Sequence, residues 1–127
     1  MEIEKAQNML REFDKARGWE NGWNLKDLLL NITEEGGEMW SLIKWIDDEK
    51  QKKVVKEKKA EVSDYIGDTL YLILKIANQT GIDASVALME TLKEYELRMP
   101  PEVMKRVGHG NKLAGGHDNK EALNHGN

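Results

Sequence analysis

Apolar residues recur every three or four positions along most of this chain, and nowhere does the every-other-residue alternation of a half-buried strand persist. Ile3, Ala6, Leu10 and Phe13 make the first stripe and predict an amphipathic helix that stops near Gly18. A loop carrying Trp19 and Trp23 among Gly18, Asn21 and Gly22 follows. Asn24 ahead of Asp27 reads as the next helix start, with Asn24 as its cap. From there Leu28, Ile32, Gly36, Met39, Ile43 and Ile46 form one stripe to about Asp47. Gly36 and Gly37 lie inside that helix, where each costs about 1 kcal/mol relative to alanine. They read either as a tolerated weak spot or, better, as the place where a neighbouring backbone or a ligand comes close.

The lysine-dense run from Glu49 to Lys59 reads as a solvated connection or helix start. A third helix is predicted from about Val54 to Gln79. Its segment Leu70–Ala77 is apolar nearly all round, which in so small a chain favours a subunit interface. Thr80-Gly81 ends that helix and Asp83 is placed to cap the next. The fourth helix carries Val86, Ala87, Met89, Leu92 and Tyr95 and stops at Pro100-Pro101. The piece EVMKRVG adds a further turn. After Gly108 almost nothing is left to bury, so 108–127 is expected to be a flexible Gly/Asn/His-rich tail. The fold class is therefore all-α, a bundle of four to five helices in one domain over 1–107.

Composition narrows the chemistry. A length of 127 residues fits one domain, and 39% apolar content supplies a modest core. A net charge of −4 offers no basic field for polymeric nucleic acid. The absence of cysteine removes disulfides, zinc–thiolate sites and thiol nucleophiles. No signal-peptide pattern opens the chain and no apolar run spans a bilayer, so a soluble cytoplasmic protein without a membrane partner is expected.

Two acidic clusters stand beside the apolar stripes: Glu34, Glu35 and Glu38, then Glu61, Asp64 and Asp68. Positions three or four apart share a helix face, so Glu35 projects with Glu38 and Asp64 with Asp68. If the two helices pack side by side, these carboxylates converge, and like charges that close call for protonation or a cation. No histidine precedes residue 109, so the ligand set would be all oxygen, which suits Mg²⁺ or Mn²⁺ shared with substrate phosphates.

Glu34-Glu35-x-x-Glu38, a lysine-rich spacer and then Glu61-x-x-Asp64 resemble the EExxE…ExxD signature of MazG-like nucleoside triphosphate pyrophosphohydrolases. The resemblance runs from about Arg17-Gly18-Trp19 to Pro100 and takes in Gly67-Asp68-x-Leu70 and Gly81-Ile82-Asp83. It implies an all-α bundle whose core is completed by oligomerisation, as a homodimer or homotetramer. It also implies Mg²⁺-dependent hydrolysis of a nucleoside triphosphate, often a non-standard one, to monophosphate and pyrophosphate. Mn²⁺ is the expected substitute metal.

By the same resemblance Glu35, Glu38, Glu61 and Asp64 match metal-ligand positions, and Glu34 matches the acid that orients or deprotonates the water. Counting back from Gly81-Ile82-Asp83 instead puts Asp68 at the second aspartate and Tyr65 at the expected glutamate, so Asp64 and Asp68 are both expected to line the site. Thr91 and Tyr95 replace a lysine and an asparagine of many relatives ahead of Arg98-Met99-Pro100. Trp23, Trp40 and Trp45 are candidates to stack on the base. A phosphoribosyl-ATP pyrophosphatase ranks lower, because Leu70-Tyr71-Leu72-Ile73 lacks that group's histidine. A helical metal- or nucleotide-binding subunit without turnover is the alternative from another class.

Overall fold

The computed structural model describes residues 1–107, and the expectation for 108–127 lies outside them. Among the described residues there are six helices and no strand: α1 (Ile3–Ala16), α2 (Leu25–Ile43), α3 (Asp48–Glu57), α4 (Lys59–Thr80), α5 (Ala84–Arg98) and α6 (Pro101–Val107). The all-α expectation holds, with one more helix than the apolar pattern predicts. No helix among them is long and apolar enough to cross a membrane. The chain divides into two units, Met1–Ala84 and a second beginning at Ser85.

In the first unit α4 packs against both α1 and α2, and α3 touches α2 and α4. α1 ends where Gly18 turns to φ 67°, with the Trp19 N–H donating back to the Asp14 carbonyl at 2.9 Å. Gly81 repeats the device after α4 at φ 69°, and the Ile82 N–H reaches the Ala77 carbonyl at 2.9 Å. Both positions need the left-handed backbone that glycine adopts without a Cβ clash. α2 begins as expected: the Asn24 side chain accepts from the Asp27 N–H at 2.9 Å, and the Asn24 N–H donates to the Asp27 carboxylate at 3.4 Å.

The predicted long third helix is two helices. Asp47 accepts from the Lys50 N–H at 3.0 Å and caps α3, whose first turn carries Asp48 and Glu49. That arrangement suits the positive end of the helix dipole. α2 ends at Ile43, short of the predicted Asp47. Lys58, at φ −103° and ψ 31°, then breaks the backbone between α3 and α4. Apolar periodicity missed α3 because only Val54 and Val55 in it are apolar.

The buried apolar residues are few: Leu10, Leu28, Leu72 and Ala77. Beside them sit three buried polar residues, Gln7, Asp14 and Lys75. Gln7 ties α1 to the far end of α4, since its side-chain amide donates to Asn78 Oδ1 at 3.2 Å and to the Ile82 carbonyl at 3.0 Å. Its Oε1 accepts the Ala84 N–H at 2.8 Å. Within Leu70–Ala77, Leu70 and Ile73 remain 53% and 46% exposed.

In the second unit α5 closes with Arg98 bonded to Glu94 at 2.8 Å, and the Met99 N–H reaches the Tyr95 carbonyl at 2.6 Å. The Pro100 carbonyl accepts the Val103 and Met104 N–H groups, both at 3.0 Å, and starts α6.

Candidate functional site

The capping box at Asn24 fixes where α2 begins, and fully buried Leu28 fixes its rotation. Glu35 is two turns beyond Leu28, so it leaves the helix on nearly the same side. That side carries Glu35 toward α4, and its side chain is half-buried while Glu34 and Glu38 are exposed. On α4 the buried anchor is Leu72, and Asp68 stands one turn before it.

The two helices bring four carboxylates into one electrostatic group. Partial burial pushes the Glu35 carboxyl above its ordinary 4.5, and the Glu38, Asp68 and Glu34 charges push it the same way, in that order. None of these four carboxylates has an ion pair or a hydrogen bond among the described residues. Glu61 is placed differently, 3.9 Å from Lys58 in an open pair on the first turn of α4. Asp64 shares the face of Asp68 one turn earlier but is not among the charges acting on Glu35. The structure thus joins Glu34, Glu35, Glu38 and Asp68, and leaves Glu61 and Asp64 outside that group.

The side chains as placed do not form a ready cage: among the described residues no three His, Asp or Glu side chains surround a common point suited to a metal ion. What fits a cation is the chemistry of the donors, an all-oxygen set in mutual repulsion with no basic partner among the described residues. Space fits as well. A Cβ added at Gly36, Gly37 or Gly67 would meet no atom within 4 Å. The close backbone approach expected at Gly36 and Gly37 is therefore not made within the described chain, and the ground beside the acids is open.

Folded Glu35 holds its proton more tightly than the unfolded chain does, so ionising it costs stability as pH rises through and above 4.5. Glu35→Gln is accordingly expected to melt higher than the parent at neutral pH in metal-free buffer. The difference should vanish below the ordinary carboxyl value, and thermal unfolding from pH 4 to 8 measures it (roughly the range over which such a group titrates).

The candidate stacking residues divide. Trp40 and Trp45 are exposed on and just after α2. Trp23 is engaged: the Lys75 ammonium lies 4.5 Å from its ring centre and Trp19 lies 5.4 Å away. In the second unit the Thr91 hydroxyl donates to the Ala87 carbonyl of its own helix at 3.0 Å.

Sequence reasoning missed a polar network on the other flank of α4. Lys75, 1% exposed, donates to Asp14 Oδ2 and to the Trp19 carbonyl, each at 2.9 Å. The Tyr71 hydroxyl donates to Asp14 Oδ1 at 2.6 Å. Burial, then the bond to and charge of Asp14, push the Tyr71 phenol well above its ordinary value, so it remains a donor. The available signal was Asp14 and Lys75 at apolar-phase positions, each an isolated charge on a face otherwise read as core. No family model matches the chain, and no curated protein or solved structure gives a significant match.

Proposed function

We propose that this chain is a Mg²⁺-dependent, MazG-like nucleotide pyrophosphohydrolase that converts a nucleoside triphosphate to monophosphate and pyrophosphate. One observation carries the reading: α2 and α4 set Glu35 among Glu38, Asp68 and Glu34, and no basic side chain among the described residues offsets them. The resemblance of Glu34-Glu35-x-x-Glu38 and Glu61-x-x-Asp64 to that family supports it independently.

Glu35, Glu38 and Asp68 would hold the metal, with Asp64 one turn along the same face and Glu61 at the start of α4. Bound there, Mg²⁺ supplies charge neutralisation for the phosphates and lowers the pKa of water. Glu34, exposed and unpaired, is the proposed acceptor of the water's proton. Glu35 gives up its proton more readily once a cation offsets its neighbours, so metal binding releases protons. The open ground beside Gly36, Gly37 and Gly67 is where phosphate oxygens would approach.

Self-association belongs to the same proposal. Leu29, Leu30 and Ile66 are exposed along with Leu70 and Ile73, and a second copy would cover such residues. Sedimentation at micromolar concentration should show a dimer or tetramer; a stable monomer would remove this part.

The decisive assay is pyrophosphate release from a panel of nucleoside triphosphates, read beside thermal unfolding with Mg²⁺ or Mn²⁺. Metal should raise the unfolding midpoint by binding only the native state, and at least one nucleotide should turn over. A raised midpoint with no turnover selects the non-catalytic binding subunit. An unchanged midpoint at saturating metal counts against the site itself.

A further inference from the structure

Between buried Asp14 and buried Leu28 the chain buries nothing: residues 15–27 are all exposed, with Trp19 at 38% and Trp23 at 37%. The stretch 18–23 nevertheless lies against Lys75, the most deeply buried charge of the first unit. Lys75 donates to the Trp19 carbonyl at 2.9 Å, and its ammonium sits 4.5 Å from the centre of the Trp23 ring. One turn further along α4 the exposed Gln79 amide donates to the Trp23 carbonyl at 2.7 Å. The stretch also forms one wall of a cavity of about 630 Å³, with α1 and the C-terminal half of α4 as the others.

These contacts make a cover that lifts easily. Beneath it is the Lys75–Asp14 ion pair, not an apolar floor. Lifting returns water to both charges, and that hydration offsets much of what the contacts lose. No buried side chain of the stretch itself resists. The two ends are linked, since Lys75 holds both Trp19 and Trp23. They are also suited to turn. Gly18 has φ 67° with no atom within 4 Å of an added Cβ, and the Asn24 side chain bonds Asp27 inside its own capping box. That box holds the start of α2, and with it the rotation that places Glu35, whether the cover is down or up.

We propose that residues 18–23 are a strap that opens as one unit, hinged at Gly18 and Asn24, and gates the access of small solutes to the cavity and to the Lys75 amine. Closed, the strap keeps Lys75 out of water. Open, it exposes Lys75 and Asp14 while α1, α2 and α4 stay folded. The strap stands apart from the acidic group on α2 and α4 and needs neither metal nor nucleotide.

Amide hydrogen exchange of the full chain tests the opening, and lysine acetylation with a water-soluble active ester tests the access. In the parent, the Trp19 and Gly22 amides, bonded to the Asp14 and Trp19 carbonyls, should exchange well before the Leu72 amide within α4. Gln79→Ala, at an exposed helical position, should keep the parent's circular dichroism. It deletes only the bond to the Trp23 carbonyl. Trp19, at the other end, should nevertheless lose about fivefold in protection together with Gly22, the scale of one ordinary hydrogen bond. Acetylation of Lys75, read by mass spectrometry at low extents of labelling, should rise by the same factor, while that of exposed Lys15 stays constant. Three results would overturn the strap: Trp19 and Gly22 as protected as Leu72 in the parent, a Gln79→Ala effect confined to Gly22, or Lys75 acetylation unchanged by Gln79→Ala. Because no nucleotide is present, failure here leaves the pyrophosphohydrolase reading untouched, and the reverse holds too.

Discussion

Replacing Lys75 by methionine is expected to cost about 3–5 kcal/mol of folding stability, the loss typical when one partner of a buried ion pair is removed. The side chain of Asp14 is 7% exposed and would be left with only Tyr71 as a donor. The Trp19 carbonyl would lose the ammonium that it accepts from, loosening the loop at the entrance to α2. Against a usual total of about 5–15 kcal/mol, this single change removes a third or more of the fold's margin in most of that range. Tyr71→Phe should cost less, about 1.5–3 kcal/mol, since it deletes one hydrogen bond to a charged acceptor and leaves the ion pair intact. Pairing Lys75→Met with Asp14→Leu should recover much of the loss, because no unpaired charge is then left buried. Urea unfolding of the three variants measures the series. A Lys75→Met protein as stable as the parent would show that water reaches Asp14.

That network marks the limit of what the sequence discloses. Apolar periodicity located α1, α2, α4 and α5, because a stripe every three or four residues has one physical reading. Asn24, Gly81 and Pro100 placed ends for the same reason: each supplies or denies a backbone geometry that the helix terminus needs. α3 escaped because capping and charge placement hold it, with hardly any apolar face. Gln7, Asp14 and Lys75 escaped because their partners are far along the chain, up to 77 residues away for Gln7. A charge at an apolar-phase position is a local signal of burial, but it does not name the partner. The acidic clusters were legible as two helix faces, but their mutual placement was not. Spacing treats Asp64 and Asp68 alike, whereas the packing of α2 on α4 singles out Asp68 as the aspartate acting on Glu35.

Asp68→Asn should therefore reduce pyrophosphate release at least about 10²-fold, the scale of losing a group that stabilises transition-state charge. Asp64→Asn should lose less. Asp64 shares the face and can assist a second oxygen of the site, but it is not among the charges that act on Glu35. A readout without turnover separates an electrostatic role from mere folding. Removing the Asp68 charge takes away one of the three carboxylates that hold Glu35 above 4.5, so the Glu35 titration, followed by carbon-detected NMR, should move down toward that value. It should not return completely, because burial, the largest cause, and the Glu38 charge both remain. Asp64→Asn should leave the Glu35 titration where it is. If Asp64→Asn moves Glu35 as far as Asp68→Asn does, or if Asp68→Asn retains near-parental turnover in nucleotide and Mg²⁺, the site is built on Asp64 and Glu61 instead. The first turn of α4, including the open Lys58–Glu61 pair, would then have to rearrange when metal binds.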